Sequence, residues 1–332
     1  MFRILHDTKY DFIKYWKHAA IATIAFIVIG LGVLAVRGIN YSIEFTGGTL
    51  VQLKFAQPPG ADLVRSTVDQ AGFHDSEITQ FGPPNEYVVK TQVLAGKAAS
   101  NADSTGKVIA QALRQRLGVS TAVTVMRAES VGPRVGAELR TRAITAILIS
   151  FLVTLIYLAI RFEWRFGVAA VAATAHDILT TLAFLAIMHL EVSLTVVAAL
   201  LTVIGYSLND TIIIFDRVRE NLKKSRKESL RDVLNRSINE TLPRSVLTHA
   251  TVLSATLALL IFAGEVIRPF SWIMAFGVFT GTFSSIYVAG ALLLWIEHKW
   301  PRDKGETKGT ARALAEGRRR DRSGAATPVP TR

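Results

Sequence analysis

The chain has 332 residues, of which 50% are hydrophobic and 19% charged, with a mean hydropathy of +0.33 and a net charge of +12. It contains no cysteine, which excludes disulfides and cysteine-based metal or redox chemistry. The basic excess favours contact with anionic lipid over nucleic-acid binding, because the apolar residues are gathered into blocks long enough to cross a bilayer.

The first apolar block, residues 19–36, follows a basic N-terminal segment, residues 1–18. It is rather long for the apolar part of a signal peptide, and no small-residue cleavage site follows it. The pattern therefore predicts an uncleaved membrane helix, which we call span 1.

Residues 37–142 have a mixed composition that predicts a small α/β domain. Residues 49–55 alternate between apolar and polar side chains, as a half-buried strand does, whereas residues 61–71 have helical spacing. Further strands are predicted at 76–81, 87–92 and 122–128, and a second helix at 103–117. The order β-α-β-β-α-β is that of a ferredoxin-like split unit.

Five more apolar blocks predict spans 2 to 6, at residues 143–160, 166–188, 192–215, 246–263 and 270–296. The fold class is thus a six-helix polytopic membrane protein with a small extracytoplasmic ferredoxin-like domain. Lysine and arginine are concentrated in the loops after spans 2 and 4, so both termini are expected in the cytoplasm. The basic segment 216–244 is expected to form a cytoplasmic loop, as an amphipathic hairpin or helix near the lipid headgroups. Residues 297–332 are expected to form a disordered basic tail.

Ionisable residues inside membrane spans are functional candidates, because burying a charge in hydrocarbon is costly. Span 3 contains His176 and Asp177, the latter about 16 Å deep, and span 4 contains Asp210 about 8 Å from its cytoplasmic end. Arg244, just before span 5, could reach Asp210 if spans 4 and 5 pack together. A carboxyl whose contact with an arginine comes and goes would bind and release a proton. A fixed ion pair with Arg244 is the alternative for Asp210, and polar packing is the favoured interpretation of His176 and His249.

Small and polar residues in spans 4 and 6 predict close helix contacts. The residues expected to make them are Gly205, Asn209, Gly277, Gly281, Ser284 and Ser285. The glycines of Glu44–Gly48 are expected to supply a turn, because the segment lacks the Gly-Lys-Ser/Thr of a phosphate-binding loop. No catalytic triad or metal-ligand spacing is recognisable, so we expect neither enzymatic activity nor a metal or cofactor.

Several stretches resemble the SecF members of the SecD/SecF family of bacterial protein-export subunits. The longest covers residues 204–221, and others are residues 42–48, 131–139, 176–177, 239–244 and 277–285. Near the outer domain, the residues that carry the resemblance are Glu44, Phe45, Thr46, Gly47, Gly48, Gly132 and Pro133.

The resemblance implies a subunit of the bacterial inner membrane that works with SecD and the SecYEG channel, with YajC as a further candidate partner. It implies use of the proton-motive force to promote late steps in the export of unfolded polypeptide. Asp210 and Arg244 would take part in proton passage, and Asp177 and His176 remain further candidates. His249 departs from the family's pattern of Thr and Ser along span 5, and the resemblance gives it no role.

Two other functions remain open. The chain could be half of a proton-driven efflux transporter of the resistance-nodulation-division superfamily, although six spans and one small outer domain leave little room for a substrate cavity. It could also be a membrane scaffold, although a scaffold does not require buried charge in its spans.

Overall fold

A computed structural model of the protein describes residues 8–74, 76–91, 102–117, 123–225 and 228–301. Six of its helices are long and apolar enough to cross a membrane, and a small α/β domain lies at one end of the bundle they form. This confirms the predicted fold class. We call the end of the bundle next to the α/β domain the outer end and the opposite one the inner end. Residues 302–332, most of the predicted disordered tail, lie outside the described part.

The first span is α1 (Trp16–Arg37), preceded by a 3-10 turn (Phe12–Tyr15) at the inner end. Asn239 ties the segment before this turn to a later helix, because its side chain accepts from Tyr10 N at 3.0 Å and donates to Tyr10 O at 2.9 Å. A one-turn helix, α2 (Ile43–Thr46), follows α1 at the outer end.

The α/β domain comprises β1 (Gly48–Phe55), α3 (Ala61–Gln70), β2 (Glu77–Gln80), β3 (Glu86–Thr91), α4 (Ala102–Leu117) and β4 (Val123–Val131). Its strands are antiparallel in the order β2-β3-β1-β4, which is the ferredoxin-like arrangement predicted from the sequence. Alternate residues of β1 point to one face, so Val51, Leu53 and Phe55 are buried together. Ile109 and Leu113, one turn apart on α4, cover them.

The remaining spans are α5 (Pro133–Arg161), α6 (Trp164–Ile187), α7 (Leu194–Lys224) and α8 (Leu230–Phe262), followed by α9 (Arg268–Ser284) and α10 (Gly290–Lys299). A π-helical turn, Ser285–Ala289, joins α9 to α10, and together they form the sixth span. Helix α6, helix α7 and the sixth span form the centre of the bundle. About half of the residues in the apolar stretch of each are buried, whereas 6% of those in the first span are.

Three helices extend beyond the predicted spans. Helix α5 begins at Pro133, a position where the fixed φ of proline suits the first turn and its missing N–H costs nothing. Residues 216–224 and 230–244, predicted as a cytoplasmic loop that forms an amphipathic hairpin or helix, are helical and continue α7 and α8 without a break. Polar contacts between these extensions hold them together: Asn221 donates to Ser237 at 3.0 Å, and Arg217 pairs with Glu240 at 2.5 Å.

Candidate functional site

The buried carboxylate of Asp210 faces a histidine on the neighbouring helix. Asp210 lies on α7, and its Oδ2 is 3.7 Å from His249 Nδ1 on α8. Both side chains are less than a tenth exposed. The nearest ion pair toward the inner end of α7 joins Arg161 and Asp216, and Asp210 lies about 9 Å deeper along the helix. The pair is therefore inside the apolar part of the bundle.

The hydrogen bonds of His249 indicate which of its ring nitrogens is free. Nδ1 is 2.6 Å from the carbonyl oxygen of Ser245, and a carbonyl can only accept, so Nδ1 carries the hydrogen. In the neutral ring Nε2 is then the unprotonated nitrogen, and no described residue offers it a hydrogen bond. Asp210 Oδ2 also lacks a donor within the described chain. A proton taken up at Nε2 would place an imidazolium beside this carboxylate.

Tyr206 packs against the same pair from α7. Its ring is edge-on to His249, with centroids 5.1 Å apart, and its hydroxyl donates to the carbonyl of Thr248 at 2.9 Å. The tyrosine thus fixes the contact between α7 and α8 at the level of the histidine.

Arg244 does not meet Asp210, so the contact suggested by their similar depth is absent. Its side chain is exposed, and none of the ion pairs found in the described residues involves it. Arg244 and Thr248 lie one turn apart, and the Thr248 hydroxyl donates to the Arg244 carbonyl at 3.0 Å. The prediction assumed that a long side chain at equal depth would turn toward the carboxylate. The rotation of α8 instead directs His249 toward it.

Asp177, on α6, is at the centre of a separate buried network. Its Oδ2 accepts from Ser284 of α9 at 2.7 Å and also from Ser207 of α7. Its Oδ1 lies 3.0 Å from Nδ1 of the neighbouring His176. The carboxylate therefore joins three helices and has donors at both oxygens. Asp210 is less well satisfied, so it has more to gain from a change in protonation.

Close packing of α7 and α9 surrounds this network. A Cβ on Gly277 would lie 2.3 Å from Val203 Cγ2, and one on Gly281 would lie 3.0 Å from Ser207 Cβ. The hydroxyls of Ser285 and Thr211 are 2.9 Å apart, and Thr211 lies one turn from Ser207 on α7. Gly277, Gly281, Ser284 and Ser285 thus all lie at helix contacts, as expected.

Gly205 and Asn209 do not pack within the bundle. Both are exposed, and a Cβ on Gly205 would meet no atom within 4 Å. They belong to a row of exposed small and polar residues on α7, beside a similar row on α8. We call these two rows the α7–α8 polar face; its residues are Thr202, Gly205, Asn209, Arg244, Thr248 and Thr251.

The motif after α1 forms the junction between the α/β domain and the bundle. Glu44 Oε2 accepts from the backbone N–H of Leu194 at 2.6 Å, so a carboxylate occupies the first turn of α7, where the helix dipole favours negative charge. Phe45 is buried in the cluster around Val196, while Thr46 is exposed.

Gly47 and Gly48 supply the predicted turn, with φ of +73° and +137°. A Cβ on Gly47 would lie 2.8 Å from Pro133 Cα, so the motif residues before β1 meet those that begin α5. Gly132 is the N-cap of that helix. The two separated stretches therefore form one contact.

Sequence reasoning missed several partners in these sites. Ser207 and Thr211 are one turn apart on α7, on either side of Asp210 in the chain. Polar residues inside an apolar span are a signal that could have found them. His249 was noted but given no role, because its spacing from Asp210 along the chain says nothing about how α7 and α8 are rotated. The capping role of Glu44 depends on a contact across 150 residues.

Comparison with known proteins identifies relatives over nearly the whole chain. The model of the family "Protein export membrane protein SecD/SecF, C-terminal" matches residues 111–299, and that of the "SecD/SecF GG Motif" matches residues 32–59. Protein translocase subunit SecF of Gemmatimonas aurantiaca is 59% identical over 96% of this chain and 95% of its own length. The SecF subunit of Escherichia coli O157:H7 is 38% identical over 87% of this chain and 88% of its own.

The solved structures give the same result for the fold. The crystal structure of SecDF from Thermus thermophilus, described as a translocon-associated membrane protein, has a TM-score of 0.79 at 36% identity and covers 90% of this chain. A second SecDF crystal structure, in a form called super-membrane-facing, has a TM-score of 0.64 at 35% identity. This chain spans about two fifths of each of those longer proteins, 40% and 41%.

Proposed function

The chain belongs to the SecD/SecF family of protein-export membrane proteins, and we propose that it is the SecF-type subunit of a bacterial Sec translocase that uses proton movement to promote export. It works beside a SecD-type subunit in the inner membrane, with its termini in the cytoplasm and its α/β domain outside. The observation that carries this proposal is the buried Asp210–His249 pair, at 3.7 Å, between two membrane spans whose folding does not require a buried charge.

The hydrogen bond of His249 to the Ser245 carbonyl supports a proton step at this pair. His249 takes a proton at Nε2, and the nearby Asp210 carboxylate stabilises the resulting cation. Proton uptake changes the Asp210–His249 pair from a net negative charge to an ion pair with no net charge. The free-energy cost of burying the pair between α7 and α8 therefore changes, and with it the preferred arrangement of the two helices. Pro243 lies inside α8, about 9 Å from His249 toward the inner end, and a helix bends most readily where proline removes a hydrogen bond. Proton uptake and release would thereby alternate two arrangements of α8.

Contacts at the outer end of the bundle connect α7 to the α/β domain. Glu44 caps α7, the helix that carries Asp210, and the residues that follow Glu44 lead directly into β1. Lys90 of β3 pairs with Glu191, just before α7, at 2.9 Å. A shift of α7 would therefore be transmitted to the domain that lies where exported polypeptide emerges. Asp177 with His176 would hold α6, α7 and α9 together during the movement.

The SecD-type partner would cover the α7–α8 polar face. A membrane helix surface with Asn209, Arg244 and exposed threonines is unfavourable against lipid, because polar groups in hydrocarbon need partners. A relative from Thermus thermophilus, named protein translocase subunit SecDF, contains a region like this chain within 39% of its length. In this arrangement Arg244 acts at the subunit boundary, about 8 Å along α8 from His249. SecYEG and YajC would associate with the assembled subunits.

The proton step is tested by Asp210→Asn in vesicles that contain the full translocase, with export measured with and without a proton gradient. We expect Asp210→Asn and His249→Asn to abolish the gradient-dependent part of export. Asp216→Asn is the matched control, because it makes the same change on the same helix at a partly exposed carboxylate nearer the inner end. Full gradient-dependent export by Asp210→Asn would refute the mechanism.

The partner face is tested by Gly205→Leu, which should reduce co-purification of a SecD-type subunit at least severalfold. Gly32→Leu on α1 is the matched control, since both glycines are exposed and have no atom within 4 Å of an added Cβ. Equal recovery of the partner with both variants would remove this face from the interface.

A further inference from the structure

An apolar groove opens between α1 and α10 at the inner end of the bundle, away from the Asp210–His249 pair. Its volume is about 470 Å³, within the range of about 300–1,000 Å³ that small-molecule sites occupy. The walls are formed by Ala20 and Ile24 of α1 and by Val288, Leu292 and Trp295 from the sixth span. His176 of α6 also lines the groove, as does Trp16, the first residue of α1, and we call the end of the groove at Trp16 its mouth.

The dimensions of the groove match one acyl chain. From Trp16 to Ile24 the rise of α1 is about 12 Å, and the hydrocarbon core is about 30 Å thick. The groove therefore runs from the interface part of the way to the midplane and stays within one leaflet. Its wall is almost entirely apolar, as contact with a hydrocarbon tail requires.

The mouth of the groove carries positive charge over aromatic rings. Lys17 Nζ is 5.9 Å from the centre of the Trp16 ring, and Lys299 Nζ is 5.2 Å from that of Trp295. Both lysines are exposed, and within the described residues no carboxylate pairs with either. The nearby Glu297 is already paired, with Arg165 at 3.6 Å. Tryptophan and lysine at this level are the side chains that meet lipid headgroups.

We propose that this groove is a binding site for an anionic phospholipid, with one acyl chain between α1 and α10 and the phosphate held by Lys17 and Lys299. The two lysines come from opposite ends of the chain, so the bound lipid would join span 1 to span 6. Helix α1 is the least buried span and gains most from such a contact.

The charge component is tested with the full-length protein in micelles that contain equal amounts of phosphatidylglycerol and phosphatidylcholine, followed by native mass spectrometry of the retained lipid. We expect preferential retention of phosphatidylglycerol. Lys17→Gln with Lys299→Gln should reduce the preference by about fivefold for each lysine. Lys223→Gln with Lys224→Gln removes the same charge from the exposed inner end of α7 and should leave the preference unchanged.

The groove itself is tested by Ala291→Phe, which places a phenyl ring in the groove from one of its walls without changing the charge. We expect retained phosphatidylglycerol to fall to the level of phosphatidylcholine, while circular dichroism shows the same helix content. Three results would overturn the proposal. The control lysine pair could reduce the preference as much as the groove pair, Ala291→Phe could leave lipid retention unchanged, or the groove variants could lower recovery of a SecD-type subunit while lipid retention stays the same.

Discussion

Gly277→Ala should weaken the contact between α7 and α9, because the added methyl group has no room. Its Cβ would lie 2.3 Å from Val203 Cγ2 and 2.6 Å from Val203 Cγ1, whereas carbon atoms in contact are separated by about 3.5–4.0 Å. Such overpacking costs about 1–3 kcal/mol, and the higher helix propensity of alanine returns about 1 kcal/mol. The net loss of unfolding free energy is about 0–2 kcal/mol.

Gly205→Ala on α7 provides the matched control, since its Cβ would meet nothing within 4 Å. Its unfolding free energy should rise by up to about 1 kcal/mol from helix propensity alone. The two alanine variants should therefore differ by about 1–3 kcal/mol, measured as thermal unfolding of the purified chain in one detergent. The sign of the difference does not depend on the detergent, because both variants make the same chemical change.

A second substitution tests the cause. Val203→Ala removes both Cγ atoms and leaves Cβ, which is 3.0 Å from the new methyl group. The double variant with Gly277→Ala should have an unfolding free energy about 1–2 kcal/mol higher than the sum of the two single effects predicts. Equal stability of Gly277→Ala and Gly205→Ala, or strict additivity in the double variant, would refute the reasoning.

Three further predictions concern other contacts. Ser284→Ala should lower the melting temperature, because loss of a 2.7 Å donor to buried Asp177 costs about 1.5–3 kcal/mol. Glu44→Ala should lower the local stability of α7 by about 1 kcal/mol, because α7 loses its cap, and Glu44→Gln should lower it less. Hydrogen exchange at the start of α7 would measure both effects. The hydrogen bond from Lys54, at 2.9 Å, lowers the pKa of Glu86 below 4.5. Because the pKa of Glu86 is lower in the folded than in the unfolded state, the ionised carboxylate stabilises the domain above about pH 4.5. This stabilisation is lost as the pH falls through the pKa of Glu86 in the folded state. Hydrogen exchange in β1 and β3 should therefore differ between wild type and Glu86→Gln at pH 7 and converge in acid; a constant difference would contradict this.

The elements that follow from local patterns were predicted closely. The alternation in residues 49–55 gave β1 within one residue, and the helical spacing of 61–71 gave α3. The apolar blocks gave six spans because the length of hydrocarbon to be crossed is fixed. The ends of α5, α7 and α8 were misjudged, since their extensions are stabilised by contacts outside the apolar blocks, such as Asn221 with Ser237.

The sequence alone determined which residues are candidates, because a charge within a run of apolar residues is costly wherever the run folds. It could thus identify Asp177 and Asp210, and it could note His249 as a polar residue within span 5. It could not determine their partners, because a helix of known depth can be rotated to present any of its faces. Only the tertiary structure decided that His249 faces Asp210, that Arg244 faces outward, and that Gly205 and Asn209 lie on an open surface rather than inside the bundle.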